Sequence, residues 1–343
     1  MAKSTTQRAI VVAIDGSADS LHAAVWAAAV AARTGTRLHL VHSLITVGHF
    51  IADAAVIAMH AAAASSQVDA AHHILKSAND AVRKEFPAVE ITEEITTDSA
   101  DSAVIRSSRD AALAVVGCDD VSPAAALLIG STSLNVAMHA ACPVVAWRGV
   151  HAPSDAPVVV GVDPTLAGTA AMAAAFDYAD RFGAPVRAVR ACSALPPRRL
   201  EMLAPGPFDG DKAAAAERAI LDDRVGPWTA KYPKAQVVRV FEEGKPARAL
   251  LDHCQDAQLV VVGTRHHSGL AAAVLGSTAL NMLHHSRIPV MICRSQPWHN
   301  PHFDSSAKGR DFVETPVRNC TCTTRLQHAL REPPENVRQP GFR

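Results

Sequence analysis

Short apolar runs alternate with longer Ala-rich stretches along most of this chain. The run Ile10 to Ile14, closed by the turn-forming Asp15-Gly16-Ser17, has the length of a buried strand. Ser20 to Arg33 follows with small and apolar residues at helical spacing and stops at Gly35, where a left-handed C-cap is expected. The pattern then predicts a strand over Arg37 to His42, a variable loop, a helix over about 65–86 and a strand over Val89 to Thr96. A short helix, a strand ending at Gly117, a helix after Gly130-Ser131 and a strand over Pro143 to Trp147 complete this half.

The order then starts again. Strands are predicted over Val158 to Val162, Pro185 to Cys192, Gln236 to Phe241, up to Gly263, and over Pro289 to Cys293. Helices lie over Ala167 to Phe182, about 211–232, and after Gly276-Ser277. Asp15 and Asp163 mark the same point in the two halves, and Gly35 and Gly183 share their offset. Gly117 and Gly130 repeat as Gly263 and Gly276 at an offset two residues shorter. Several landmarks in register indicate a duplicated unit. The segment 151–157, His-Ala-Pro-Ser-Asp-Ala-Pro, has linker composition and divides domains at 8–150 and 155–295. Strands alternating with helices imply an α/β fold, a parallel five-stranded sheet in each copy with helices on both faces. Residues 296–343 are rich in Pro, Arg and polar residues without apolar period and read as a disordered tail.

Composition narrows the function classes. Lys plus Arg and Asp plus Glu both number 33, so no bulk field draws the chain to nucleic acid or an anionic membrane. Aromatics make up 4% of the residues, too few for base-stacking platforms. No apolar run approaches the roughly 18 residues of a membrane span, and the start lacks a signal peptide, so the cytoplasm is the expected compartment. The seven cysteines form no CxxC pair and read as small core residues; Cys320-Thr-Cys322 has no finger-like partners. The pairs His72-His73 and His284-His285 read as polar helix faces, because adjacent helical side chains diverge by about 100° and chelate poorly. Signatures of dinucleotide folds, P-loop motors and nucleophile elbows are missing from the sequence.

The chemistry gathers where strands one and four end. In an open parallel sheet ligands collect beyond the carboxyl ends of the strands. Asp15 and Asp163 follow the first strands and offer a carboxylate to an amino group or a ribose hydroxyl. Gly117 with Gly130-Ser131, and Gly263 with Gly276-Ser277-Thr278, follow the fourth strands and offer backbone N–H groups to phosphates. The competing reading of each Asp is a turn former, and of each Gly a plain turn residue.

With these motifs in view, the chain resembles a tandem-domain universal stress protein of the actinobacterial type. That family has an Asp after its first strand and Gly-x2-Gly-x9-Gly-Ser/Thr after its fourth, and the likeness runs from about 8 to 294. The resemblance implies two Rossmann-like domains of the adenine nucleotide alpha hydrolase-like kind, ATP as ligand, and magnesium arriving with the nucleotide. It implies that Asp15 and Asp163 approach the adenosine end, with Ser43 and Ala191, just past the second strands, giving backbone contacts to adenine. It places Gly117, Gly130 and Ser131, and in copy two Gly263, His266, Gly276, Ser277 and Thr278, around the phosphates. It also implies that the last strands pair between the domains as a pseudo-dimer within one chain, with a homodimer as a further assembly.

Both copies depart from the motif at its second glycine, which is Asp120 in copy one and His266 in copy two. A carboxylate beside phosphates repels them, whereas a protonated imidazole flanked by Arg265 and His267 can donate. Copy two is therefore the expected better site. The residues describe a mononucleotide site, and the resemblance implies a regulatory ATP-binding protein in stress response with no catalytic residue and at most weak hydrolysis. A scaffold whose two sites have decayed is the alternative.

Overall fold

Ten strands, the eight inner ones largely buried and apolar and the two outermost more polar and exposed, join in one continuous sheet. The computed structural model describes residues 8–44, 54–118, 130–149, 152–192, 210–264 and 275–294, with backbone alone over 54–65. The first half contains β1 (Ala9–Ala13), α1 (Ala18–Thr34), β2 (Leu38–Ser43), α2 (Ala54–Glu85), β3 (Ile91–Thr96), α3 (Ala100–Ser107), β4 (Ala111–Gly117), α4 (Ser131–His139) and β5 (Val144–Trp147). The second contains β6 (Val158–Gly161), α5 (Leu166–Phe182), β7 (Val186–Cys192), α6 (Gly210–Lys231), β8 (Val237–Glu243), α7 (Pro246–Asp252), β9 (Leu259–Gly263), α8 (Ser277–His285) and β10 (Val290–Cys293). The expected tail at 296–343 lies outside the described residues.

Strand order is β3-β2-β1-β4-β5-β10-β9-β6-β7-β8, so each half is a parallel five-stranded sheet. The halves meet where β5 and β10 pair antiparallel, with Val290 opposite Ala146, Met291 opposite Val145 and Ile292 opposite Val144. This is the expected pseudo-dimer, realised by two four-residue strands. Each would otherwise present an apolar edge.

Helices cover both faces, as near-continuous apolar strands require. One core lies beneath α1, α2, α5 and α6 and contains Trp26, Leu75, Trp147, Phe176 and Leu221; the other lies beneath α3, α4, α7 and α8 and contains Val104, Val136, Leu250 and Met282. Each core draws residues from both halves. Cys118, Cys142, Cys254 and Cys293 are buried, and burial pushes the Cys142 and Cys254 thiols up to about 12. Buried and held as thiols at neutral pH, Cys142 and Cys254 act as packing residues.

Local signals set the helix ends. Ser17 and Thr165 cap α1 and α5 by accepting from the amides of Ser20 and Gly168. Gly35 and Gly183 end these helices at φ 63° and 67°. Several boundaries shift from the sequence expectation, most by a residue or two, and two shifts have a visible cause. α2 begins at Ala54 rather than near 65, because an Ala-rich run of high helix propensity extends it backwards. β8 continues to Glu243, because β7 stays in register with it as far as Cys192 opposite Glu243.

A buried amide fastens the linker. The Gln258 side-chain nitrogen donates to the carbonyls of Ser154 and Ala156, each at 2.5 Å, and its oxygen accepts from the Ser154 amide at 2.8 Å. That oxygen also accepts from the Tyr178 hydroxyl at 3.2 Å. Replacing Gln258→Ala orphans these groups and should cost about 1–3 kcal/mol. The variant should show a lower urea midpoint and faster proteolytic nicking within 151–157 than wild type; an unchanged nicking rate would show that the linker is held by other contacts.

Candidate functional site

The carboxyl end of β1 turns sharply into α1, and Asp15 makes that turn. Its Oδ1 accepts from the Ser17 amide at 2.9 Å, as Asp163 Oδ1 accepts from the Thr165 amide at 2.8 Å. Burial works to raise the Asp15 carboxyl, but hydrogen bonds from the Ser17 hydroxyl and amide and from Ser20 together outweigh it. They hold the group below the usual carboxylate value, so Asp15 is an anion at neutral pH. The turn-former reading is thus correct for both carboxylates.

Beside this turn ends the fourth strand. A Cβ on Gly117 would lie 3.0 Å from the Asp19 carbonyl carbon and the Ser20 nitrogen. On Gly263 it would lie 2.5 Å from the Ala167 carbonyl carbon and 2.7 Å from the Gly168 nitrogen. These glycines let β4 and β9 run against the first turns of α1 and α5. Gly168 serves a different approach, that of the β6–α5 turn to its own helix, since a Cβ there would meet the Asp163 carbonyl oxygen at 2.0 Å.

Gly130 and Gly276 differ. Both have negative φ, −53° and −58°, that any residue adopts, and no described atom lies within 4 Å of where their Cβ would stand. They occupy the N-cap positions of α4 and α8, which carry no side-chain cap and no acidic residue in the first turn. α1 and α5 cap themselves, whereas α4 and α8 begin with Ser131-Thr132 and Ser277-Thr278 behind a residue that has no side chain to donate or accept. Such an end attracts an anion. In copy two the Gly276 amide leans on the Thr264 hydroxyl at 3.4 Å, and in copy one the Ser133 hydroxyl donates to the Gly117 carbonyl at 3.3 Å.

Ser43 and Ala191 lie within their strands rather than just past them. Ser43 ends β2 opposite Thr96, and Ala191 is the penultimate residue of β7 opposite Glu242. The Ser43 hydroxyl donates to the Asp98 carbonyl at 2.5 Å and is therefore occupied. Their backbones still suit the expected role. The Val41 and Val189 carbonyls accept from the Ile14 and Val162 amides, so two residues on, Ser43 and Ala191 direct their own N–H and C=O past the ends of β1 and β6. Asp120 and His266, with the loops 119–129 and 265–274, lie outside the described residues.

Two residues at this edge escaped the sequence reading. His42 Nδ1 lies 2.7 Å from the Ile14 carbonyl, and Arg190 donates to the Val162 carbonyl at 3.3 Å while pairing with Glu217 at 2.6 Å. Each brace sits just before the site carboxylate. Their matching positions in the repeat were a visible signal, but their chemistry differs too much to be read as one role.

The profile of the universal stress protein family matches residues 7–148 and again 156–294. The chain belongs to the universal stress protein family. It is 31% identical over 303 residues to a universal stress protein of Mycobacterium tuberculosis, covering 86% of this chain and 99% of that one. A universal stress protein of Mycolicibacterium smegmatis is 31% identical over 308 residues, with the same coverage. The crystal structure of a universal stress protein from Archaeoglobus fulgidus superposes with a TM-score of 0.62 at 16% identity, covering 85% of this chain and 100% of that chain, which shows the shared fold. No described helix is long and apolar enough to cross a membrane.

The glycine geometry separates fold from ligand. Gly263→Ala should destabilise the protein by about 3 kcal/mol, because backbone of α5 must retreat. Gly276→Ala should stay within about 0.5 kcal/mol of wild type. Urea unfolding of both variants checks the difference, and equal losses would refute this division.

Proposed function

We propose that this universal stress protein is a regulatory adenine-nucleotide binder, with ATP at the carboxyl edge of each half and copy two the stronger site. The observation that carries the reading is the pair of uncapped helix starts at Gly130-Ser131 and Gly276-Ser277, set across the sheet edge from Asp15 and Asp163. Glycines that neither φ nor packing among the described residues demands leave room for a ligand. The carboxylate would take the ribose, the Ser43 or Ala191 backbone the adenine, and the helix N-terminus the phosphates. Magnesium would travel with the nucleotide. The preference for copy two rests on His266 against Asp120 in the phosphate loop. No general base is assigned, and the proposed role is occupancy rather than turnover, in the cytoplasm.

A scaffold reading has its own support: Gly117 and Gly263 serve helix packing, and both carboxylates serve turns, so all four would be retained without a ligand. Calorimetric titration with ATP and Mg²⁺ separates the two. Wild type should bind, Gly276→Val should lose at least tenfold at the stronger site, and Asp163→Ala should weaken binding there while the fold persists by circular dichroism. Absence of heat with wild type, together with absence of nucleotide in natively purified protein, would leave the scaffold reading standing.

A further inference from the structure

β5 and β10 run antiparallel, so the carboxyl edges of the two halves lie at opposite ends of the sheet. A helix that starts at one carboxyl edge and runs back along the sheet therefore ends at the sheet end that carries the other half's carboxyl edge. α8 starts at Ser277 in the copy-two site and ends at His285, beside the end of β5. There Arg148, the residue after β5, donates to the carbonyls of Ser286 at 3.2 Å and His284 at 3.5 Å. The mirror contact is present. α4 starts at Ser131 in the copy-one site, and Arg294, the residue after β10, donates to the Ala137 carbonyl at 2.6 Å.

Each arginine is also tied to its own half's site. Gly117 is in register with Trp147, whose carbonyl accepts from the Cys118 amide at 2.9 Å. Gly263 is in register with Cys293, whose carbonyl accepts from the Thr264 amide at 2.8 Å. The strand end that borders one phosphate position thus leads directly into the guanidinium holding the helix of the other.

We infer that Arg148 and Arg294 are positioning residues, each setting the helix that receives phosphate in the opposite half. This rests on the nucleotide reading above for its ligand. The physical basis is direct. The last carbonyls of a helix have no intrahelical donor, and a cation there complements the dipole. Guanidinium donors fix direction as well as charge. A nine-residue helix is a rod about 13 Å long, short enough that fixing its last turn fixes its first.

The test uses the full chain with one site disabled at a time, Gly130→Val leaving copy two and Gly276→Val leaving copy one, titrated with ATP and Mg²⁺. Arg148→Met should weaken copy two by about fivefold or more and leave copy one within about twofold; Arg294→Met should do the reverse. Arg148→Lys should restore part of the loss. Equal weakening of both copies, loss in the arginine's own half, or no change where wild type binds would overturn the inference. Hydrogen exchange of the ligand-free chain gives a second readout. Arg148→Met should speed exchange across 277–286 and not 131–140, with the opposite for Arg294→Met, and an uncrossed pattern overturns the inference. If wild type takes up no ATP, the nucleotide reading fails by itself, and exchange alone decides whether each arginine holds the opposite helix.

Discussion

Everything in this molecule depends on one short antiparallel contact, the pairing of β5 with β10. Each half is a parallel sheet whose fifth strand would be a bare apolar edge, and a strand of four residues contributes few hydrogen bonds by itself. Pairing them removes both edges and lets the apolar layers on the two faces run unbroken across the junction. Arginines secure the same junction at helix ends: Arg33 donates to the Arg181 carbonyl at 2.8 Å and lies 5.3 Å from the centre of the Phe182 ring. The antiparallel sense also decides where function can sit. It sends the carboxyl edges of the two halves to opposite ends of the sheet and brings the ends of α4 and α8 to the arginines that follow β10 and β5.

The motif glycines divide into two kinds that share a name in the sequence. Gly117 and Gly263 are required by backbone running close to backbone, whereas Gly130 and Gly276 face open space with ordinary φ. A motif containing both cannot be taken wholly as a binding signature, nor dismissed wholly as turn chemistry. The carboxylates show the same overlap, because the turn that each Asp caps also fixes it at the carboxyl edge of its half. Structural satisfaction and ligand readiness are compatible in one residue, and the second builds on the first.

The repeat, the strands, the αL glycines and the pairing of the last strands were legible in the sequence, because each follows from local apolar period, turn chemistry or a family pattern. What was not legible depends on partners far apart in the chain. Gln258 looks like an ordinary polar residue beside a strand, and its role exists only once the linker folds back upon it. Ser43 and Ala191, expected just past their strands, lie within them, since a strand end is set by how far its neighbour continues. His42 and Arg190 brace equivalent carbonyls with unlike chemistry, so aligning the halves hides their kinship.

The junction also shows why the two halves are no longer interchangeable. Trp26 of α1 stacks on Tyr178 of α5 with ring centres 6.1 Å apart, and Tyr178 stacks on Phe182 at 4.5 Å. By the offset that relates α1 to α5, the positions matching Trp26 and Tyr178 are Ala174 and Val30. A symmetric dimer of one half would have to make the same contact twice, Trp against Val on both sides of the axis. Here the large pair is concentrated on one side and the small pair falls on the other, an arrangement available only to two different partners. The same freedom extends to the sites, where Thr264 stands opposite Cys118 and Gly168 opposite Ser20 in the repeat. Fusion therefore does more than raise the local concentration of two halves. It releases each from matching itself, so packing can be complementary across the seam while the two carboxyl edges take on different chemistry.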